Sequence, residues 1–412
     1  MKASFPNLGY DTYALKTFVE DLGAEVIMAP PNSRRTIELG SLHSPELICM
    51  PYKITLGNML EALELGADTL FMAAGARKCR FGYYHYLQER ALAHLGKECR
   101  FIPVTQYSPL DFFFKVMPDI FGVSPLRVMR AVTKMLAKSR LTQEFRQYLN
   151  RKRALDFDGA EKVKPKALAV IERANTLGEI RAARGEVRRL FGLNGVRPQV
   201  RLGLVGEIYF MIEQSASQEI EKELGKMGAE VVFERSLYRH IRHLLFSDPT
   251  FARSERLARR YLAESPGGEA IRTVGEAVHF QQQGLDGVVH IFPFTCMPEN
   301  IALEALQRLS EETGIPVLSL SFDEHTSRTG LLTRLEAYVE LVKRRRRAGT
   351  ARSPESRVQN PESGVSRTMN RKPATKNRRA GTVQSPESRI QNPESGVSRT
   401  VNQKPATKNH HG

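Results

Sequence analysis

The sequence predicts an α/β fold: two parallel-sheet units joined by a helical connector and followed by a basic tail. Three observations predict it. Short apolar runs that read as buried strands alternate with amphipathic helical stretches in residues 1–118 and again in 196–346, as βαβ units require. Between these segments, residues 119–195 are charge-rich with helical periodicity and offer no convincing strand. After residue 346 the composition turns to Ser, Pro, Asn, Arg and Thr with few apolar residues.

The elements follow in order. Residues before Pro6 offer barely a strand. Leu15, Phe18, Val19 and Leu22 fall at i, i+3, i+4 and i+7, the stripe of an amphipathic helix, and Gly23 ends it. Residues 24–29 read as the next strand, and the short run 46–48 as another. Leu56, Met59, Leu60 and Leu63 repeat the helical pattern ahead of a strand over 69–73. A helix over about 81–95 leads to a strand at 101–104. In the connector, Val128, Met129, Val132, Met135 and Leu136 mark a helix, and Arg and Lys crowd residues 140–166. The second unit opens with a strand at 202–205, and Gly206 starts the loop after it. A helix marked by Ile220, Leu224 and Met227 precedes a strand at 229–233. A helix over 269–283 precedes a strand at 288–294. Ala302, Ala305, Leu306 and Leu309 mark the next helix, 317–321 the last strand, and Leu335, Tyr338, Val339 and Val342 the last helix. Both units read as Rossmann- or flavodoxin-like.

The charge sits mostly at one end. From residue 343 onward there are 17 Lys or Arg against 4 Asp or Glu, a balance of +13, so the rest keeps +3 of the total +16. A nucleic-acid reading therefore rests on the tail alone. Residues 348–377 repeat at 380–409, with 25 of 30 positions identical. Such a polar unit cannot bury enough surface to offset chain entropy, so disorder is expected over 347–412. Two polar copies do not make a solenoid. No charged start followed by an apolar stretch is present, and no run reaches the ~18 apolar residues of a membrane span, so a cytoplasmic protein is expected. In that compartment its four cysteines read as ligands or core thiols rather than disulfides.

Three of them share an address. Cys49, Cys79 and Cys296 each follow a run read as a strand, and open α/β sheets bind ligands outside their strands' carboxyl ends. Three converging thiolates would make a metal site, an iron–sulfur cluster before zinc. Spacings of 30 and 217 residues exclude zinc ribbons and ferredoxin loops, which need closely spaced pairs. The alternative is three ordinary core cysteines. Local context favours the site: a proline lies two residues after Cys49 and after Cys296, and Cys79 sits between Gly75 and Gly82. Lys78 and Arg80 flank the Cys79 sulfur and are expected to favour its thiolate. Cys99 precedes its strand, at the wrong end, and is left out.

The stretches 49–53, 75–84 and 293–299, with 205–209, 323–326 and 333–337, carry a family resemblance. On them the chain resembles the iron–sulfur proteins related to 2-hydroxyacyl-CoA dehydratases, benzoyl-CoA reductases and double-cubane cluster proteins. Within that group it is most similar to the branch called acyl-CoA dehydratase activase-related, or CoA protein activase. The resemblance spans about residues 5–343 and excludes the tail; the short amino terminus is its one departure. It implies three cysteine ligands per cluster, here Cys49, Cys79 and Cys296, holding a cluster of 4Fe–4S or double-cubane type. It also implies a separate ATP-hydrolysing activator as electron donor, anaerobic reductive chemistry on an acyl-CoA or small molecule, and a possible homodimer.

Other residues are open. Glu324 and His325 follow the last strand and Glu207 follows Gly206; these three are the candidate catalytic residues. Against that reading, Asp323 and Thr326 would cap the last helix while Glu324 and His325 face water. Lys53 and Arg80 could neutralise a cluster or bind a CoA phosphate, or lie solvated; His279 and His290 read as core or surface histidines. The chain has no P-loop, no Gly-x-Gly-x-x-Gly fingerprint and no Gly-x-Ser-x-Gly elbow, so it is not expected to be an ATPase itself. Three alternatives stand beside the electron-transfer reading: a cluster-carrying redox sensor without catalysis, a metal-free α/β small-ligand-binding protein, and polyanion binding by the tail without nucleic-acid specificity. No membrane partner is expected.

Overall fold

The computed structural model describes residues 1–75, 79–105, 108–193 and 195–350. Two four-stranded parallel sheets organise it. The first holds β1 (Lys2–Ser4), β2 (Glu25–Val26), β3 (Thr69–Ala74) and β4 (Arg100–Thr105) in the order β2-β1-β3-β4. The second holds β5 (Val200–Gly206), β6 (Ala229–Val232), β7 (Gly287–Pro293) and β8 (Val317–Phe322) in the order β6-β5-β7-β8. The two orders are the same. In each sheet the chain leaves the first strand, pairs a second on one side, then crosses to place the third on the other. The crevice between first and third strands is therefore the switch point where such sheets bind ligands. β7 is buried at every position, as a strand covered on both faces must be.

The short β1 is enough to hold the middle of its sheet, because Ala3 pairs with both Val26 and Thr69. β2 is shorter than the 24–29 expected: Ile27 N–H still reaches the Ala3 carbonyl at 2.9 Å, and Pro30 and Pro31, which lack N–H groups, follow. Residues 46–48 form no strand. They make a turn between α2 (Arg34–Leu42) and α3 (Met50–Glu64), with Leu47 exposed and Pro51 starting the helix. Pro51 sits in the first turn of α3 directly after this turn, so Cys49 is an N-cap residue and not a strand-end residue.

α3 lies between the two lobes. Every residue from Met50 to Ala62 is buried. Tyr52, Leu56, Met59 and Leu60 pack into the first lobe, while Met50 and Ile54 join the core of the second with Leu204, Tyr209 and Phe210. α2 crosses α3 without room for a side chain: a Cβ on Gly57 would overlap the Thr36 carbonyl, and one on Gly40 the Lys53 carbonyl. Before β2 comes α1 (Thr12–Asp21), and between β3 and β4 comes α4 (Tyr84–His94).

After β4, α5 (Pro109–Asp111), a π-helical turn over Phe112–Val116 and α6 (Met117–Phe121) lead to the connector. It is three helices, α7 (Pro125–Leu155), α8 (Phe157–Arg173) and α9 (Leu177–Phe191). α7 spans both lobes. Val128, Val132 and Met135 enter the first lobe's core, and Lys138 Nζ donates to Thr17 Oγ1 at 2.9 Å. Further on, the Arg146 guanidinium lies on Glu221 and over the Phe233 ring, 3.9 Å from its centre.

The second lobe adds α10 (Ile208–Ile212), α11 (Ile220–Lys226), α12 (Leu237–Phe246), α13 (Pro249–Ala258), α14 (Ala270–Gln282), α15 (Met297–Thr313) and α16 (Arg328–Thr350). α16 runs past residue 346, so residues 347–350, assigned to the tail from composition, are helical. The rest of the expected disordered tail, 351–412, lies outside the described residues, as does Lys78. Among the described residues, no helix is long and apolar enough to cross a membrane.

Candidate functional site

The three cysteines come from different elements and meet where the lobes face each other. Cys49 is the residue before α3, Cys79 precedes a 3-10 turn (Arg80–Tyr83) that runs into α4, and Cys296 precedes α15. Pro51 and Pro298, in the first turns of α3 and α15, fix the direction in which the chain enters each helix. Cys49 and Cys296 thus stand at α-helix amino termini, where free N–H groups and the helix dipole favour negative charge, while Cys79 heads a short 3-10 turn. Cys49 Sγ lies 3.7 Å from the Thr295 carbonyl of the other lobe, and the Tyr84 hydroxyl is bonded to it. A Cβ on Gly268 would come 3.8 Å from Cys79 Sγ.

Beside them is a cavity of about 140 Å³, lined by Cys79, Cys296, Glu207, Glu269 and Glu299 among others; Cys49 is not in its wall but lies close enough for its charge to act on Cys79 and Cys296. The cavity opens at the ends of β3, β5 and β7, the switch points of both sheets. Gly206 makes the Glu207 position. Its φ of 146° belongs to glycine, and a Cβ there would overlap the Ile291 carbonyl oxygen, which instead accepts the Glu207 N–H at 3.0 Å. Glu207 caps α10 through Phe210 N–H at 3.0 Å, and burial pushes its carboxyl up to about 7.

Burial governs the Cys79 and Cys296 thiols. It pushes Cys79 up to about 11, with the charges of Glu207, Cys49 and Glu269 adding to the rise and the Phe81 amide opposing it. Cys296 is raised still further by burial and by Glu299 and Glu207. Of the two neighbours expected to favour the Cys79 thiolate, Arg80 is exposed and donates to the Leu47 carbonyl at 2.9 Å, and Lys78 lies outside the described residues. Soft-metal coordination deprotonates such thiols outright, so loading this site would release protons.

The donor set fits an iron–sulfur cluster. All four cysteines are free of disulfides; Cys79 and Cys296, one from each lobe, line one cavity, and Cys49 lies close enough for its charge to act on both. Among the described residues no three His, Cys, Asp or Glu side chains close around a point as a single ion needs. By their chemistry, thiolates are the ligands that hold iron–sulfur clusters, each on its own iron.

A buried ionic network backs the second lobe's side. Arg235, fully buried, donates to the Gly206 carbonyl and pairs with Glu276 at 3.0 Å. Arg272 pairs with Glu269 at 2.8 Å and with Glu276 at 3.3 Å. Burial alone would raise Glu269, but the charges of Arg272 and Arg235 outweigh it and hold the carboxyl down to about 2. Thr273 Oγ1 donates to Glu299 at 3.1 Å, and His290 Nε2 lies 3.0 Å from the other oxygen of Glu299. Sequence reasoning alone does not single out Glu269 and Glu299. A signal exists for Glu299, which ends the Cys296-Met297-Pro298-Glu299 turn; for Glu269, only its place ahead of an apolar helix.

Of the sequence candidates, Glu207 lines the cavity and Glu324 and His325 do not. Lys53, one turn beyond Cys49, is bound to Glu324 at 2.6 Å and joins the lobes. His325 is exposed, its N–H on Asp323 Oδ1 at 3.0 Å, while Asp323 and Thr326 bond each other in the turn before α16. His279 is partly buried near Glu234, at 3.6 Å. Cys99 is partly buried in the first lobe's core.

A family model described as 2-hydroxyglutaryl-CoA dehydratase, D-component, matches residues 13–342. No curated protein matches the chain.

Proposed function

Because this chain belongs to the 2-hydroxyglutaryl-CoA dehydratase D-component family, whose members act in ATP-activated electron-transfer systems, we propose that Cys49, Cys79 and Cys296 hold an iron–sulfur cluster. The cluster would take single electrons from an ATP-hydrolysing activator and spend them on an acyl-CoA or a related small molecule. One observation supports this reading: thiols from the two lobes, Cys79 and Cys296, line one cavity at the switch points of both sheets, with Cys49 beside them at the lobe contact.

When bound, the cluster supplies low-potential single electrons. The chain's own residues do the rest. The amino termini of α3 and α15 and the turn before α4 stabilise negative charge at the sulfurs. Met50 and Ile54, packed into the second lobe's core, keep water from the Cys49 side. Glu207, set by Gly206 and the Phe210 amide, presents a carboxyl to the cavity where a proton is needed or released. Arg235 anchors the Gly206 carbonyl from behind and so fixes Glu207.

The test is iron and acid-labile sulfide per chain on anaerobically purified protein. About four of each are expected for a single cubane and about eight for a double one. The content should be lost in Cys49→Ser, Cys79→Ser or Cys296→Ser and kept in Cys99→Ser. No iron after anaerobic reconstitution would overturn the reading. Turnover by the loaded protein with its activator separates catalysis from a sensor role.

A further inference from the structure

A second cavity, of about 180 Å³, lies in the first lobe behind the thiol cavity. Its walls are apolar, with Phe18, Phe71, Phe112, Phe113 and Met135 among them. Leu8, Ala73, Leu237 and His240 line both cavities, so the two adjoin. The wall on the second lobe's side is one helical stripe of α12: Leu237, His240, Ile241 and Leu244, at i, i+3, i+4 and i+7.

Two features mark this space as a binding site. Protein interiors are close-packed, and an apolar cavity of roughly 150 Å³ stays dry and accepts a benzene-sized guest. The second feature is polar. His240 Nδ1 is shut off from solvent and has no hydrogen-bond partner among the described residues. A buried, unpaired nitrogen is costly until something pairs with it. Burial also pushes the His240 ring down to about 4, so it is neutral at pH 7 and can meet an uncharged polar group.

We propose that this cavity takes the apolar body of the substrate, about six carbons or one phenyl ring, and that His240 holds an adjoining carbonyl or hydroxyl as the molecule enters the thiol cavity. The proposal deepens the reading above. It rests on that reading for the guest's destination and not for the binding itself.

The probes are S-acetyl-, S-hexanoyl- and S-phenylacetyl-pantetheine, titrated calorimetrically into the full chain, both as purified without oxygen and after chelator treatment. Each buried methylene contributes about 4-fold in affinity (~0.8 kcal/mol). The hexanoyl thioester carries four more than the acetyl one and should bind at least ~50-fold tighter in both preparations. Val19→Phe and Val104→Phe, which fill the cavity from walls that the thiol cavity does not share, should each collapse this preference while leaving acetyl binding within about 3-fold. His240→Leu should weaken all three thioesters about 5- to 10-fold. Equal affinity for acetyl and hexanoyl thioesters in the unaltered chain would overturn the proposal, and needs no variant to fold. A preference retained in both filled variants would also overturn it, by placing the guest elsewhere. A preference that survives in a chain unable to bind iron would leave the cavity assignment standing and remove only the cluster reading.

Discussion

The two lobes share a strand order but build their halves of the site from opposite materials. In the first lobe, the helix entering the third strand starts at Cys49, and the loop leaving that strand carries Cys79. In the second, the corresponding helix starts at Glu269, and the loop carries Cys296. Cys49 is backed by Tyr52, Tyr84 and other apolar side chains, with an apolar cavity nearby. Cys296 is backed by Arg235, Arg272, Glu276, Glu299 and His290, all buried. One topology thus supplies soft donors from an apolar wall and fixed charges from a polar one. The shared strand order decides where a crevice forms; the side chains at its rim decide what it can hold.

The sharpest way to break this contrast is to remove the centre of the ionic half. Arg235→Met leaves Glu276 and Glu269 short of a buried counter-charge and the Gly206 carbonyl without its donor. A loss of about 3–5 kcal/mol in urea unfolding is expected. A loss under ~1 kcal/mol would mean that the network is not what holds this lobe.

The first lobe depends instead on close contact. Gly57→Ala should cost about 2–3 kcal/mol by the same measurement, because the added Cβ meets the Thr36 backbone and not a movable side chain. A neutral outcome would show that α2 can shift away from α3.

α7 carries the contrast into the connector, since it reaches the second lobe through the Arg146–Glu221 ion pair and the first through Lys138 on neutral acceptors. Burial lowers Lys138 to about 8, below its ordinary 10.5. Below pH 8 both folded and unfolded chains hold this proton, and the cost of burying the charge is fully present. Between pH 8 and 10.5 the folded chain releases the proton first, so stability should rise with pH, by about 1–2 kcal/mol. Lys138→Met should remove that rise; an unchanged pH profile would sink the assignment.

The smallest effect is expected where the lobes join. Burial would raise Glu324, but the hydrogen bond and charge of Lys53 outweigh it and hold the carboxyl below its ordinary 4.5. Its contribution is present above that value and is lost as pH falls through the lowered one. Glu324→Gln should cost about 1 kcal/mol at pH 7 and nothing more in strong acid. Equal stability of the two proteins at pH 7 would show that the pair only accompanies the lobe contact.

Much of the architecture is legible along the chain. Short apolar runs mark seven of the eight strands and period-3.6 patterns most long helices, because those elements bury one face or both. β1 stays faint, since three residues carry no period. α2 escapes the pattern because it packs through Gly40 rather than through an apolar stripe. α12 and α13 have readable starts, Ser236 accepting from Arg239 N–H and Asp248-Pro249 with Asp248 accepting from Thr250 N–H; α13 has few apolar residues to draw attention, and the stripe of α12 is interleaved with Arg239, His240, Arg242 and His243. The run 46–48 misleads because apolar composition alone does not distinguish a strand from a turn ahead of a proline-initiated helix.

By itself, then, the sequence determined the α/β class, the strand and helix alternation, the placing of Cys79 and Cys296 past their strands and the closeness of Glu207 to a loop start. Each of these depends on residues within a few positions of one another. Only the tertiary structure decided that Cys49 comes beside Cys79 and Cys296 from a helix start, that Lys53 is spent on Glu324, that Glu269 and Glu299 face the thiol cavity, and that His240 stands between two cavities. Those outcomes join positions up to 271 residues apart, as in the Lys53–Glu324 pair, and depend on how two sheets close on α3. No local pattern encodes such a closure, because it is chosen by the packing of whole lobes rather than by the preferences of any one segment.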